Sequence, residues 1–360
     1  MRQITLLAFA AALIAAPAVA QTAPPPAVAA FERELDTRCT AGEFTGVAML
    51  VIDGAPVASR TCGQVQPHAR FRLLSSTKLV SALAIMKLVE EGRLSLDAPI
   101  ARYIPDLPPG WRAVTVRHLL HQTSGVHNHA NELSDLFRSD RNDALRRLLK
   151  QREIRKDTPN QPPGRYRLND FGYELLVDAA ERATGQSWAR ILQTRVFDPA
   201  GMTGARLDTA VRQRRAMVAA PDPVLAPGWN EDQNGARVPA APRAFALPGS
   251  HGVIVTAADL IALDRALAQG RVVRPETWAA MIADPVPLNA SNPGAYMGLG
   301  VMVGERDGLA SHGMNGGLDG YVSVFRRFPD QDAVVIGLFN SGWAGSRWLE
   351  DAAATALATP

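Results

Sequence analysis

The chain has 360 residues, with 38 Lys and Arg against 35 Asp and Glu and a formal net charge of +3. That near balance supplies no broad cationic surface and argues against nucleic acid as a partner. Two cysteines alone cannot complete a structural zinc site, and the length suffices for one large core or two closely joined lobes.

The first twenty residues read as a secretory leader. Arg2 gives the positive start, Leu6 to Ala15 the apolar stretch, and Ala18-Val19-Ala20 the small-residue cleavage pattern before Gln21. The stretch is too short and too rich in Ala to span a bilayer, so no stable membrane anchor is expected after cleavage. Residues 21–26 then form a flexible lead-in, and the mature chain is expected to be periplasmic or secreted. Its balance, 37 basic against 35 acidic once Arg2 is gone, stays near neutral.

Ala27 to Cys39 is expected to be a helix. Gly46 to Ile52 is a buried strand, Asp53-Gly54 a hairpin turn and Pro56 to Cys62 the returning strand. Cys39 and Cys62 end neighbouring elements and could meet as a disulfide or stay as two buried thiols. A helix then runs through the apolar stretch Leu79 to Val89 and ends near Glu91-Gly92. From Leu96 to about Ala210 the pattern is helix and loop, clearest over Asp143–Gln151 and Asp170–Ala183. The basic residues from Arg146 to Lys156 alternate with Leu145, Leu148 and Leu149, which reads as the wet face of a helix. Pro221 to Pro248 reads as a long irregular loop, followed by a helix over Thr256–Ala268 capped by Thr256. Strands return at Gly298–Val303, Tyr321–Phe328 and Ala333–Phe339, and a helix from about Ser346 to Ala358 closes the chain. Strands at both ends and helices between them predict an α+β fold. In it an antiparallel sheet is flanked by helices (about 27–74 and 250–360) and joined to a mostly helical lobe (about 75–249).

Chemistry concentrates at Phe71-Arg72-Leu73-Leu74-Ser75-Ser76-Thr77-Lys78. Ser75 and Lys78 stand three residues apart at the start of a helix. At 3.6 residues per turn they face the same way, so the amine could take the hydroxyl proton.

That stretch, together with Glu90 to Ile100, Val114 to Leu120, Thr123-Ser124-Gly125, Gly201-Met202-Thr203, Val255 to Leu260, Gly298-Leu299-Gly300 and Gly316 to Tyr321, resembles the serine β-lactamase and penicillin-binding-protein superfamily. The match is to its class C-like branch, which includes esterases and D-amino-acid peptidases. The resemblance runs in order along nearly all of the mature chain. It implies a β-lactamase/transpeptidase-like fold, Ser75 as nucleophile, Lys78 as base, and an oxyanion hole from the backbone of Ser75 and Gly317. It implies no cofactor and a small-molecule or peptide substrate.

Two of the family's three motifs are altered. Aligned on Gly172-Tyr173, the Tyr-x-Asn motif reads Leu168-Asn169-Asp170. The lost phenol would have to come from Tyr166 through a shifted loop. An Asp170 carboxylate in place of the amide would pair with Lys78 and favour the protonated amine, the wrong direction for a base. The third motif, Lys-Thr-Gly or His-x-Gly, reads Met314-Asn315-Gly316. His312 lies two residues, about 6–7 Å, further along the strand. A Met cannot hold a substrate carboxylate, so ordinary β-lactams should be poor substrates. Asn315, Leu168 and Met314 are expected to line the substrate site, with Asp170, Tyr166 and His312 as auxiliaries.

The remaining candidates carry less. His118, His121, His127 and His129 are expected to stay apart as loop and surface residues and to form no metal site. Trp343 and Trp348 read as packing, while Trp229 in the long loop could touch a ligand. Two functions follow from the sequence: an exported serine hydrolase acting on an ester, amide or peptide bond through acyl-Ser75, or a weakened homologue that binds a cell-wall fragment, a β-lactam or a protein partner.

Overall fold

The computed structural model describes residues 26–358, apart from 67, 161–162, 214–215, 241 and 289–293. The expected leader, and all of the lead-in except Pro26, lie outside the described residues.

Helix α1 spans Pro26–Thr40. Strands β1 (Gly46–Ile52) and β2 (Ala55–Cys62) form a hairpin whose turn residues, Asp53 and Gly54, both have positive φ. Such a two-residue turn matches the twist of paired strands. After the short β3 (Phe71–Arg72) comes α2 (Thr77–Glu90), whose residues 77–86 are all buried. An apolar run without a polar face suits a helix enclosed on every side. The helical lobe follows, with α3 (Phe171–Thr184) as its longest helix and shorter ones over Val116–Leu120, Ala130–Leu136 and Arg141–Leu149. In the basic stretch Arg146 and Arg147 both pair with Asp143 on an exposed face.

The chain then adds β4 (Arg206–Leu207), β5 (Val253–Val255), α4 (Ala257–Ala268) and α5 (Pro275–Ile282). Thr256 caps α4 reciprocally with Asp259. The strands β6 (Val286–Pro287), β7 (Ala295–Met297), β8 (Met302–Arg306), β9 (Leu309–Leu318), β10 (Tyr321–Phe328) and β11 (Ala333–Phe339) follow, and α6 (Arg347–Ala358) ends the described fold.

One antiparallel sheet takes the order β6-β7-β8-β9-β10-β11-β1-β2. The two ends of the chain meet inside it, with Gly46 opposite Phe339 and Ile52 opposite Ala333. Alternate residues of β1 serve two cores. Ala48 and Leu50 pack with Phe31 and Leu35 of α1 and Leu349 of α6, whereas Met49 and Val51 join the larger core around α2. Burial on both faces explains why β1 and β11 are nearly continuous apolar runs.

Several expectations shift. The strand placed at 298–303 begins only at Met302, because Gly298 and Val301 close a turn in which Gly300 has φ +77°. The loop over 221–248 contains a small hairpin, Trp229–Glu231 with Arg237–Pro239. The stretch from Leu96 to Ala210 is not free of strand, since β4 pairs with β5. Helix α5, not among the elements expected from the sequence, starts at Pro275, a residue suited to the first helical position. Cys39 and Cys62 are joined as a disulfide with Cα atoms 5.6 Å apart, tying α1 to the edge strand β2.

Candidate active site

The Ser75 turn is held against the sheet by short polar contacts. Ser76 Oγ lies 2.8 Å from Ser323 Oγ and 3.1 Å from the Met314 carbonyl oxygen, and Ser323 Oγ donates to the Leu73 carbonyl at 2.7 Å. Gly316 makes this approach possible. A Cβ there would lie 2.3 Å from the Leu73 oxygen and 2.8 Å from the Ser76 nitrogen. Leu74, just before the nucleophile, has φ +47°, a conformation costly for a branched side chain. The staples fix that turn and leave Ser75 partly exposed.

Lys78 lies one turn on, with 1% of its side chain exposed. Its Nζ is 2.6 Å from Asp170 Oδ1, at the start of α3, and 5.9 Å from the centre of the Tyr173 ring. Burial pushes the Asp170 carboxyl up, but the Lys78 and His251 charges and hydrogen bonds from Lys78 and Asn128 outweigh it. The net result is a carboxyl held below its usual range. Asp170 is therefore an ionised partner for Lys78. Among the described residues no hydrogen bond joins Lys78 to Ser75.

The altered motif positions take different places. Leu168 is 54% exposed. Tyr166 is partly buried against the main core; burial and then the Asp170 charge push its phenol up to about 12. Among the described residues no hydrogen bond brings it to Lys78 or Ser75. Met314 is buried in the main core and offers the site only its backbone carbonyl. Asn315, expected to line the substrate site, faces away. Strand alternation turns its amide toward α6, where it bonds Glu350. His312, expected as an auxiliary, is also misplaced. It is buried edge-on against Trp278 at 5.2 Å, and burial, then Arg327 and Arg326, push its imidazole down to about 4. The backbone does not bulge to bring it forward, since Gly313 and Met314 stay in register with Arg326 and Phe325. Gly317 is exposed next to the Gly316 approach.

A residue not singled out in the sequence enters the site. Thr77 Oγ1 accepts from the Val253 amide at 3.1 Å, and Ser81 Oγ donates to the Gly249 carbonyl at 2.6 Å. These contacts flank Lys78 on α2 and lay the 249–253 segment beside it, with His251 in the middle. Buried Ser250 bonds His251 Nδ1 at 2.9 Å and Glu174 Oε1 at 3.1 Å. Burial, with Lys78 acting in the same sense and Asp170 against, pushes His251 down to about 4, so its ring is neutral near pH 7. Burial also raises Glu174 to about 7, against Arg141 and the Ser250 and Gly249 donors. The only local signal for His251 was its place between Gly249-Ser250 and Gly252.

His251 borders a cavity of about 510 Å³ shared with Leu247, Arg243, Leu318, Asp319 and Ala244. Ala244 in turn packs on Leu74, which sets the cavity beside the nucleophile turn. Leu318 is 52% exposed, directly after Gly317. Trp229 lines a different hollow with Arg237 and Asn340. Trp348 stacks on Phe339 and lies tilted against Phe44 as packing. Of the histidines expected as separate loop and surface residues, His118 lies in the helix Val116–Leu120, His121 is buried just after it, and His127 and His129 converge on Asp157.

A sheet between helical layers, with a Ser-x-x-Lys turn at the lobe junction, defines a β-lactamase-fold serine hydrolase. The family model for beta-lactamase matches residues 28–359, and the chain belongs to that family. It is 29% identical to Esterase EstB of Burkholderia gladioli over 322 residues, covering 79% of this chain and 80% of that one. It is 26% identical to putative penicillin-binding protein PbpX of Bacillus subtilis, covering 72% of this chain and 66% of the relative, just under two thirds of its length. The fold matches the D-amino acid amidase of Ochrobactrum anthropi with a TM-score of 0.75 at 20% identity, over 92% of this chain and 98% of that one. No helix among the described residues is long and apolar enough to cross a membrane.

Proposed function

We propose that the chain is an exported serine hydrolase, periplasmic or secreted, that cleaves an ester or amide of a small molecule or peptide through acyl-Ser75. The observation that carries this reading is the Ser75 turn itself: a partly exposed hydroxyl on a stapled, strained turn with a buried amine one turn away. The esterase relative supports the reaction class.

Ser75 Oγ would form the bond to the carbonyl carbon and pass its proton to Lys78, which must first release one toward Asp170 or solvent. The amides of Ser75 and Gly317 would hold the oxyanion. Collapse breaks the bond to the leaving group, which departs protonated, and water then hydrolyses the acyl ester. The neutral His251 ring beside Lys78 would substitute for the missing tyrosine as proton carrier. With Leu168 and Met314 where a phenol and a cation would stand, turnover is slow and substrates bearing a carboxylate are poor. Exposed Leu168 and Leu318 favour an uncharged, apolar acyl group.

The 2.6 Å Lys78–Asp170 pair favours a second reading, a homologue that binds such ligands without turning them over. Intact-mass measurement after incubation with a fluorophosphonate or a penicillin, with Ser75→Ala as control, separates the two. An adduct on the wild type alone supports the acyl-enzyme. Absence of any adduct with either probe rejects it.

A further inference from the structure

We infer that His127, His129 and Asp157 form a binding site for a divalent first-row cation such as Zn²⁺, separate from the serine nucleophile. Their donor atoms all lie within 4.8 Å of one another. His127 Nδ1 is 2.7 Å from Asp157 Oδ1, and His129 Nε2 is 3.4 Å from Asp157 Oδ2. Two imidazoles and a carboxylate are a common zinc set, leaving a fourth position to water.

The spacing is close to what a cation needs. Ligands bonded at about 2.1 Å in a tetrahedron sit roughly 3.4 Å apart. The His129–Asp157 separation already has that value. The His127–Asp157 pair, at the other carboxylate oxygen, must open by about 0.7 Å to reach it.

The groups behind the donors are placed as a metal site requires. His129 turns Nδ1 toward Glu132 Oε1 at 3.5 Å, leaving Nε2 for the cation. A ligating histidine usually gives its other N–H to a carboxylate in this way. Trp111 Nε1 donates to Asp157 Oδ2 at 3.1 Å and stacks its ring on His129 at 5.8 Å, and Phe171 meets both rings edge-on, 5.5 Å from His129 and 5.7 Å from Trp111. The ring is thus oriented before any cation arrives.

Position gives the site a consequence. Asn128, between the two histidines, reaches the start of α3. Its Oδ1 accepts from the Phe171 amide at 3.1 Å, and its side chain also hydrogen-bonds Asp170. A cation held by His127 and His129 would therefore steady the Asn128 that lies between them and bonds the start of α3.

The test is titration of the untagged full chain, stripped with a chelator, with Zn²⁺ by calorimetry and with Co²⁺ by visible absorption. One cation per chain is expected, with tetrahedral Co²⁺ bands. His129→Ala should abolish binding. Glu132→Gln, at an exposed position that leaves packing intact, should weaken binding about 10–100-fold. Ser75→Ala should bind as the wild type does, which keeps the result independent of hydrolase activity. Failure to bind either metal below about 100 µM, or equal affinity in His127→Ala, would overturn the inference.

Discussion

Asp170→Asn isolates the feature that most constrains the proposed chemistry. The substitution restores a neutral amide and removes the carboxylate 2.6 Å from Lys78 Nζ. Breaking a buried ion pair commonly costs about 3–5 kcal/mol. Lys78 is 1% exposed, so the full effect applies at its end, but the amine can shed its proton in place of remaining charged. A loss near the lower bound, about 3 kcal/mol at pH 7, is therefore expected in urea unfolding. The acid limb should change as well. Because the Asp170 carboxyl sits below its ordinary value, its stabilising effect is present above about pH 4 and is lost as pH falls through the lower folded value; the variant lacks that limb. The neutral amine is the form that accepts a proton from Ser75, so acylation by a fluorophosphonate should rise at least about tenfold, one 1.4 kcal/mol step in the barrier. The rate is read by quenched intact-mass spectrometry. Acylation that falls in Asp170→Asn to the level of Lys78→Ala would refute the reasoning, showing that the carboxylate takes part in the reaction and does not restrain it.

Three further outcomes are expected. Folded Glu174 titrates near 7, above its ordinary 4.5, so its contribution is full below about pH 4.5 and is lost as pH rises to 7. The loss amounts to about 3 kcal/mol, opposite in slope to the depressed His251, which loses stability as pH falls from 6.5 to about 4. Unfolding of Glu174→Gln across this range should lack the Glu174 component, and an unchanged slope would exclude it. Glu350→Ala strands buried Arg326, 3.1 Å from the carboxylate, and should lower stability by about 3–5 kcal/mol in denaturant melts; a loss below about 1 kcal/mol would show that solvent reaches Arg326. His251→Gln should slow acylation about 10²-fold in the fluorophosphonate assay, whereas a rate equal to wild type would remove His251 from the proton path.

Much of the architecture was readable from local pattern. β1 and β11 match their expected bounds because each is an apolar run closed by turn residues, and β10 does so as an aromatic and β-branched run between Gly320 and Pro329. The approach of Asp170 to Lys78 followed from one aligned substitution. Asn315 was misjudged although strand alternation alone separates it from Met314 and Gly316; backbone period outranks motif membership. His251 was illegible for another reason. Its position depends on Thr77 and Ser81, about 170 residues away in sequence, bonding the segment on either side of it. His127 and His129 share a side through their spacing, but their partner Asp157 lies about thirty residues on, beyond any local rule.

The meeting of β1 with β11 also sets an order in time. β1 is made early, yet one of its two neighbours does not exist until residue 339 has been added. Pairings this distant in sequence are slow to form and cannot begin during most of synthesis. The sheet stays incomplete until Phe339 is in place, so the β1–β2 hairpin waits through nearly three hundred residues of synthesis with one edge unpaired.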